Sequence, residues 1–119
     1  MLELILLAAL LIKHFIADFV LQTDAMVREK SQYGKIGGIT HSSIHGVGTF
    51  LVFALAGFGI IALICAVIDA VVHYHIDWSK MQLSRGLTPK DQTYWVYLGL
   101  DQMLHQLTYV FLVAVAFSF

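Results

Sequence analysis

Nine residues of this sequence have the types and spacing to bind divalent metal: His14 and Asp18, His41 and His45, Asp69 with His73 and Asp77, and Asp101 and His105. Within each set neighbours are four residues apart, so on a helix they stack on one face and can turn together toward a shared axis. Six His and six Asp scattered over the chain would give about one ordered pair at that spacing. The sequence contains five such pairs, so composition alone is a poor explanation. Mixed imidazole and carboxylate ligands suit Zn first, with Fe or Mn as alternatives.

The elements that must position these residues are hydrophobic. Of the 119 residues 59% are hydrophobic and 13% charged, too apolar for an ordinary soluble domain. The lipid bilayer is therefore the expected partner, and the predicted fold is all-α: a polytopic membrane four-helix bundle, up-down-up-down, in one domain spanning 1–119. The helices are placed at about 2–23, 39–57, 60–80 and 89–118. The first of them, despite Lys13, His14 and Asp18, reads as a retained helix rather than a cleaved signal. Gly57 and Gly59 allow a tight reversal between the second and third. Thr88, Pro89, Lys90 and Asp91 carry the cap, first-turn proline and carboxylate of a helix start.

Arg28, Lys30 and Lys35 fall in the first connection and Lys80, Arg85 and Lys90 around the third. The positive-inside rule then puts those connections in the cytoplasm and both termini outside an inner or plasma membrane. Counted from the outer ends, His14, His45, His73 and His105 lie at one depth, roughly 20 Å in. Asp18, His41, Asp77 and Asp101 lie one turn nearer the cytoplasm, and Asp69 falls outside both layers. The expected site is thus intramembrane and near the cytoplasmic face. Unpaired carboxylates there would cost several kcal/mol each. Four of them ask for two divalent ions, with Asp69 either a ligand or the acceptor that orients His73.

Other polar residues have plainer expected roles. Lys13 is off the stripe and should snorkel, His75 should be interfacial, and Gln22 and Gln102 should be solvated amides near helix ends. Cys65, the sole cysteine, should be a packing residue. With a net charge of −1 and no basic stripe, no nucleic-acid partner is expected.

Several motifs together resemble a known family. The opening His14-Phe15-Ile16-Ala17-Asp18-Phe19-Val20-Leu21-Gln22-Thr23, the His41/His45 pair, His73-Tyr74-His75-Ile76-Asp77 and Asp101-Gln102-Met103-Leu104-His105 are similar to short bacterial and phage membrane proteins catalogued as a domain of unknown function. That likeness spans nearly the whole chain and implies a small helical membrane protein without an assigned activity. A looser likeness, in pattern only, is to membrane-bound metal-dependent hydrolases and helical zinc phospholipase C and nuclease enzymes.

The leading expectation is a metal-dependent membrane hydrolase acting on a phosphoester or lipid-like substrate, with its catalytic residues open. The alternative is a non-enzymatic bundle, metal-stapled or conducting ions or protons, in a homo-oligomer or as a phage or host membrane interaction protein.

Overall fold

A computed structural model describes all 119 residues, and every regular element in it is helical. The five α-helices are α1 (Leu2–Phe15), α2 (Asp24–Glu29), α3 (Ile36–Leu55), α4 (Ile60–Leu83) and α5 (Gln92–Phe117). A π-helical turn, Ile16–Val20, continues α1. Helix α1 packs on α3 and α5, α3 on α4, and α4 on α5, so the four longer helices close a ring.

The expected first helix is corrected in two ways. Regular α-helix stops at Phe15, and the π turn carries the chain to a break at Leu21, whose N–H donates to the Ile16 carbonyl at 2.9 Å. The short helix α2 then occupies part of what was expected to be an irregular connection. Thr23 caps it, its Oγ1 accepting the Met26 N–H at 3.2 Å, and removes one orphan donor of that first turn. The fourth helix also starts later than expected. Asp91 Oδ2 accepts from the Thr88 N–H at 2.8 Å, but these residues close a turn and α5 begins at Gln92. Helix α4 runs a little further than expected, to Leu83.

The reversal between α3 and α4 is as expected. Gly57 and Gly59 have φ of 90° and 55°, angles that a side chain with a Cβ adopts only under strain.

Helices α3, α4 and α5 are long and apolar enough to cross a membrane. The α1 segment has only 14 residues of regular helix, short of the roughly 20 that cross hydrocarbon. The distribution of polarity runs opposite to that of a soluble protein. Eleven of the buried residues are polar or charged, matching the eleven buried apolar ones, while Leu4, Ile12, Phe19, Val47, Leu63 and Phe111 face outward. Ionisable groups inside and apolar groups outside is the arrangement that membrane association requires.

Two layers fill the interior. Leu6, Leu10, Phe53, Ala62, Cys65, Leu112, Val113 and Ala116 form an apolar cluster, drawn from α1, the N-terminal half of α4 and the C-terminal halves of α3 and α5. Tyr109 borders it, and beyond Tyr109 the interior is polar. Gly46 allows α3 and α4 their close approach: a Cβ there would lie 3.0 Å from the Ala66 carbonyl oxygen and from Ala70 Cβ. The first connection folds back onto α4, with the Gly34 N–H donating to Tyr74 Oη at 2.7 Å and Gln82 Nε2 donating to the Ser31 carbonyl at 2.7 Å. This docking directs Lys30 inward.

Candidate metal centre

Eight of the nine expected residues meet in one continuous buried cluster. His14, Asp18, His41, His45, His73, Asp77, Asp101 and His105 are each no more than 8% exposed, and every imidazole in the set presents Nε2 to a carboxylate. Asp69 lies apart, receiving hydrogen bonds from Lys13 Nζ at 2.8 Å and from the Thr49 hydroxyl. All five imidazoles pack together, and the two expected layers do not separate: His41, expected one turn deeper, has its ring 4.9 Å from that of His45 and 5.1 Å from that of His73. His73 is stacked between His45 and His105, with ring centroids 3.6 and 4.0 Å apart, and the His14 ring is 5.4 Å from that of His45.

The π turn is a local device with a consequence for the site. By adding a residue to the turn it shifts Asp18 relative to a regular helix. The Asp18 carboxylate can then receive His14 Nε2 on Oδ2 at 3.1 Å, and His45 Nε2 and His41 Nε2 on Oδ1 at 2.8 and 3.0 Å. Gln22 Nε2 donates to the Asp18 carbonyl at 2.9 Å, so this amide braces the turn rather than resting in solvent.

Lys13 does not snorkel. Its side chain is 10% exposed and its ammonium contacts Asp69, Tyr109 Oη at 3.2 Å, and His45 Nδ1 and carbonyl oxygen at 3.3 and 3.4 Å. The stem passes Gly48, where a Cβ would come within 2.6 Å of Lys13 Cγ. An ammonium has only donors, so its contact makes His45 Nδ1 an acceptor and puts the proton of a neutral ring on Nε2, facing Asp18. Tyr109 Oη, accepting from Lys13, is 2.7 Å from His14 Nδ1 and can donate to it. The same tautomer follows for His14. Both rings are thereby set as donors that hold Asp18.

His41 and His73 differ. Their Nδ1 atoms are buried without a hydrogen-bond partner, so packing rather than a second bond orients the rings. Their Nε2 atoms are 3.2 Å apart. His41 Nε2 is 3.0 Å from Asp18 Oδ1 and 3.3 Å from Asp77 Oδ2; His73 Nε2 is 3.7 and 3.2 Å from the same two oxygens. Ligands about 2.0–2.1 Å from a tetrahedral zinc are separated by about 3.3–3.4 Å, the spacing that His41, His73 and Asp77 Oδ2 show among themselves; across the whole cluster, Asp18 with His41, His45 and His73, and His73 with Asp77 and His105, offer ligand atoms within 4.8 Å of one another. Asp77 Oδ2 is informative by itself. Three nitrogens surround it, Lys30 Nζ at 3.1 Å, His73 Nε2 at 3.2 Å and His41 Nε2 at 3.3 Å. The Lys30 ammonium offsets its charge, and a cation bound between the two imidazoles would share the oxygen with it. The residues present fit a divalent ion.

Electrostatics changes with the two lysines. Four buried carboxylates face Lys13 on Asp69 and Lys30 on Asp77, so four negative and two positive charges leave a deficit of two. Charge then asks for one divalent ion rather than two.

His105 and Asp101 complete the cluster toward α5. His105 Nε2 lies 3.2 Å from Asp77 Oδ1 and 3.4 Å from Asp101 Oδ1. Gln102, expected in solvent, accepts from His14 Nε2 through Oε1 at 3.1 Å and donates through Nε2 to Asp101 Oδ2 at 3.0 Å. Asp101 Oδ1 has no hydrogen-bond partner, and Asp101 lines a cavity of about 380 Å³ between α4 and α5. His75 is off the cluster, as expected, its Nε2 2.9 Å from Tyr33 Oη.

Sequence reasoning missed Lys13, Lys30, Thr49 and Tyr109. Two of these had a signal. Thr49 continues the 41, 45 stripe and Tyr109 the 101, 105 stripe at the same four-residue step.

Fold and site define an all-helical protein with helices able to cross a membrane and a buried His/Asp cluster able to hold a metal. The chain belongs to the family described as protein of unknown function (DUF3307), whose model matches residues 6–119. That agrees with the unknown-function family its motifs resemble. No curated protein and no solved structure matches the chain.

Proposed function

We propose that this protein is an integral membrane hydrolase that uses one divalent ion, Zn first, to cleave a phosphoester in a lipid-like substrate. The observation that carries this reading is the trio His41 Nε2, His73 Nε2 and Asp77 Oδ2, 3.2 to 3.3 Å from one another, three ligands that leave the fourth tetrahedral position for water. Supporting the membrane placement, six of the seven basic residues, all but Lys13, lie around the first and third connections. In this reading the four longer helices run up-down-up-down, those connections are cytoplasmic, and both termini lie outside. The apolar cluster of Leu10, Phe53 and Leu112 seals the outer end, which leaves the site accessible from one side and disfavours a conducting path.

A bound divalent ion supplies a water of lowered pKa and polarises a phosphoryl oxygen. His14 and His45 hold Asp18 in place as donors, and Lys13 and Tyr109 fix their tautomers. Asp101, which lines the cavity between α4 and α5, would act as general base and take the proton of the attacking water. His105 Nε2, 3.4 Å from Asp101 Oδ1 and 3.2 Å from Asp77 Oδ1, holds the Asp101 carboxylate, which would return the proton it has taken to the leaving oxygen.

The test measures zinc content and phosphoester turnover on reconstituted protein. Asp101→Asn should keep its metal and lose about 10²–10⁴-fold in turnover, whereas Asp77→Asn should lose both. Metal retained by the unmodified protein with no metal-dependent turnover of any phosphoester would contradict catalysis.

A second reading is a metal-stapled bundle. It is favoured by Asp18, whose Oδ1 lies 3.0 and 3.7 Å from His41 and His73 Nε2 and as a fourth ligand would close the site in the structural manner.

A further inference from the structure

Three cavities join along α4 and α5. The one beside Asp101 shares Val72, Ile76 and Leu104 with a second, of about 400 Å³, which continues to Phe111. It shares Lys80 with a third, of about 420 Å³, which is bounded by Ser31, Ser84 and Arg85. The first two are almost wholly apolar and the third is polar and basic.

We infer that this furrow binds a phosphate-bearing membrane lipid, one acyl chain lying along α4 and α5 and the phosphate between Lys80 and Arg85. As a binding site the furrow stands by itself; as the source of substrate for the metal centre it rests on the reading above.

Length is the first support. From Tyr97 to Phe111 the furrow follows fourteen residues of α5, about 21 Å at helical rise, enough to take a chain through one leaflet of about 15 Å. Charge complementarity is the second. Neither Lys80 nor Arg85 forms an ion pair; Lys80 lies over the Tyr94 ring and Arg85 donates to Gln82 Oε1 at 2.6 Å. Between them Ser84 Oγ is buried without a partner. Two uncommitted cations and a spare hydroxyl suit a phosphate's acceptor oxygens. Proximity is the third. Lys80 follows Asp77 by less than one turn of α4, and Asp101 forms part of the furrow wall. A phosphoester bound at Lys80 would therefore share one cavity with the proposed base.

The test reconstitutes the full chain in bilayers and measures association of spin-labelled phosphatidic acid relative to phosphatidylcholine. Each interfacial cation contributes roughly a fivefold preference, so the double variant Lys80→Ala, Arg85→Ala should bring the preference down roughly 25-fold or to parity. Leu104→Trp, which fills the apolar part, should weaken association of both lipids. Asp77→Asn, which lowers metal content if the metal reading holds, should leave the lipid preference intact, so the two readings fail separately. No preference in the unmodified protein, or a preference that survives the double variant, would overturn the inference. So would loss of preference in Asp77→Asn, or displacement of the lipid by inorganic phosphate alone.

Discussion

Replacing Lys13 with Met tests the placement of its charge inside the protein. Lys13 Nζ is 2.8 Å from Asp69 Oδ2, and the two side chains are 10% and 1% exposed. Methionine follows the same path past Gly48 but supplies no charge, leaving Asp69 with the Thr49 hydroxyl as its remaining donor. Breaking a buried ion pair from one side costs about 3–5 kcal/mol, because the surviving charge is left uncompensated. Replacing both partners, as in Lys13→Met with Asp69→Leu, should recover most of that, since apolar replacement of a buried pair is often neutral. Asp69→Asn should cost less than Lys13→Met, because the ammonium keeps Tyr109 Oη and the His45 carbonyl. Reversible unfolding in mixed micelles of the unmodified protein, Lys13→Met, Asp69→Leu and the double variant closes a double-mutant cycle. A loss below about 1 kcal/mol for Lys13→Met would refute the buried pair and return Lys13 to a snorkelling role.

Other predictions concern packing and the ion. Gly46→Val should destabilise by about 1–3 kcal/mol in the same unfolding assay, because the Ala66 backbone oxygen lies where the new side chain must go. Gly57→Ala should cost about 1–2 kcal/mol, since φ there is 90°; an unchanged midpoint would mean that the turn has relaxed. Stripping metal with a chelator should lower the thermal midpoint. Restoring it to about 100 times its dissociation constant should return about 2.7 kcal/mol, whereas calcium, which prefers six to eight oxygen ligands, should return much less.

Much of this molecule is visible in its sequence, for a physical reason. A four-residue step reports which face a side chain occupies, and His14/Asp18, His41/His45, Asp69/His73/Asp77 and Asp101/His105 disclose their faces through it. The step does not report partners across helices. Asp69 shares a stripe with His73, yet Lys13 and Thr49 from α1 and α3 claim it. Lys13 itself looked like a snorkelling residue because the gap that admits it is the missing side chain of Gly48, thirty-five positions away. Lys30 reaches Asp77 only because the first connection folds back onto α4 through Tyr74 and Gln82. The π turn is likewise invisible to periodicity, as one extra residue in one turn leaves no mark on composition. Thr23 before Asp24 was a readable cap for α2, hidden by the polar stretch around it.

The most direct test of a metal held by His41, His73 and Asp77 is elemental analysis of chelator-free, detergent-purified protein alongside Asp77→Asn. About one tightly bound divalent ion per chain, largely lost in the variant, is the predicted result. A protein that carries no transition metal when supplied with zinc, and whose stability is indifferent to chelator, would contradict the metal centre. The cluster would then be a hydrogen-bonded brace.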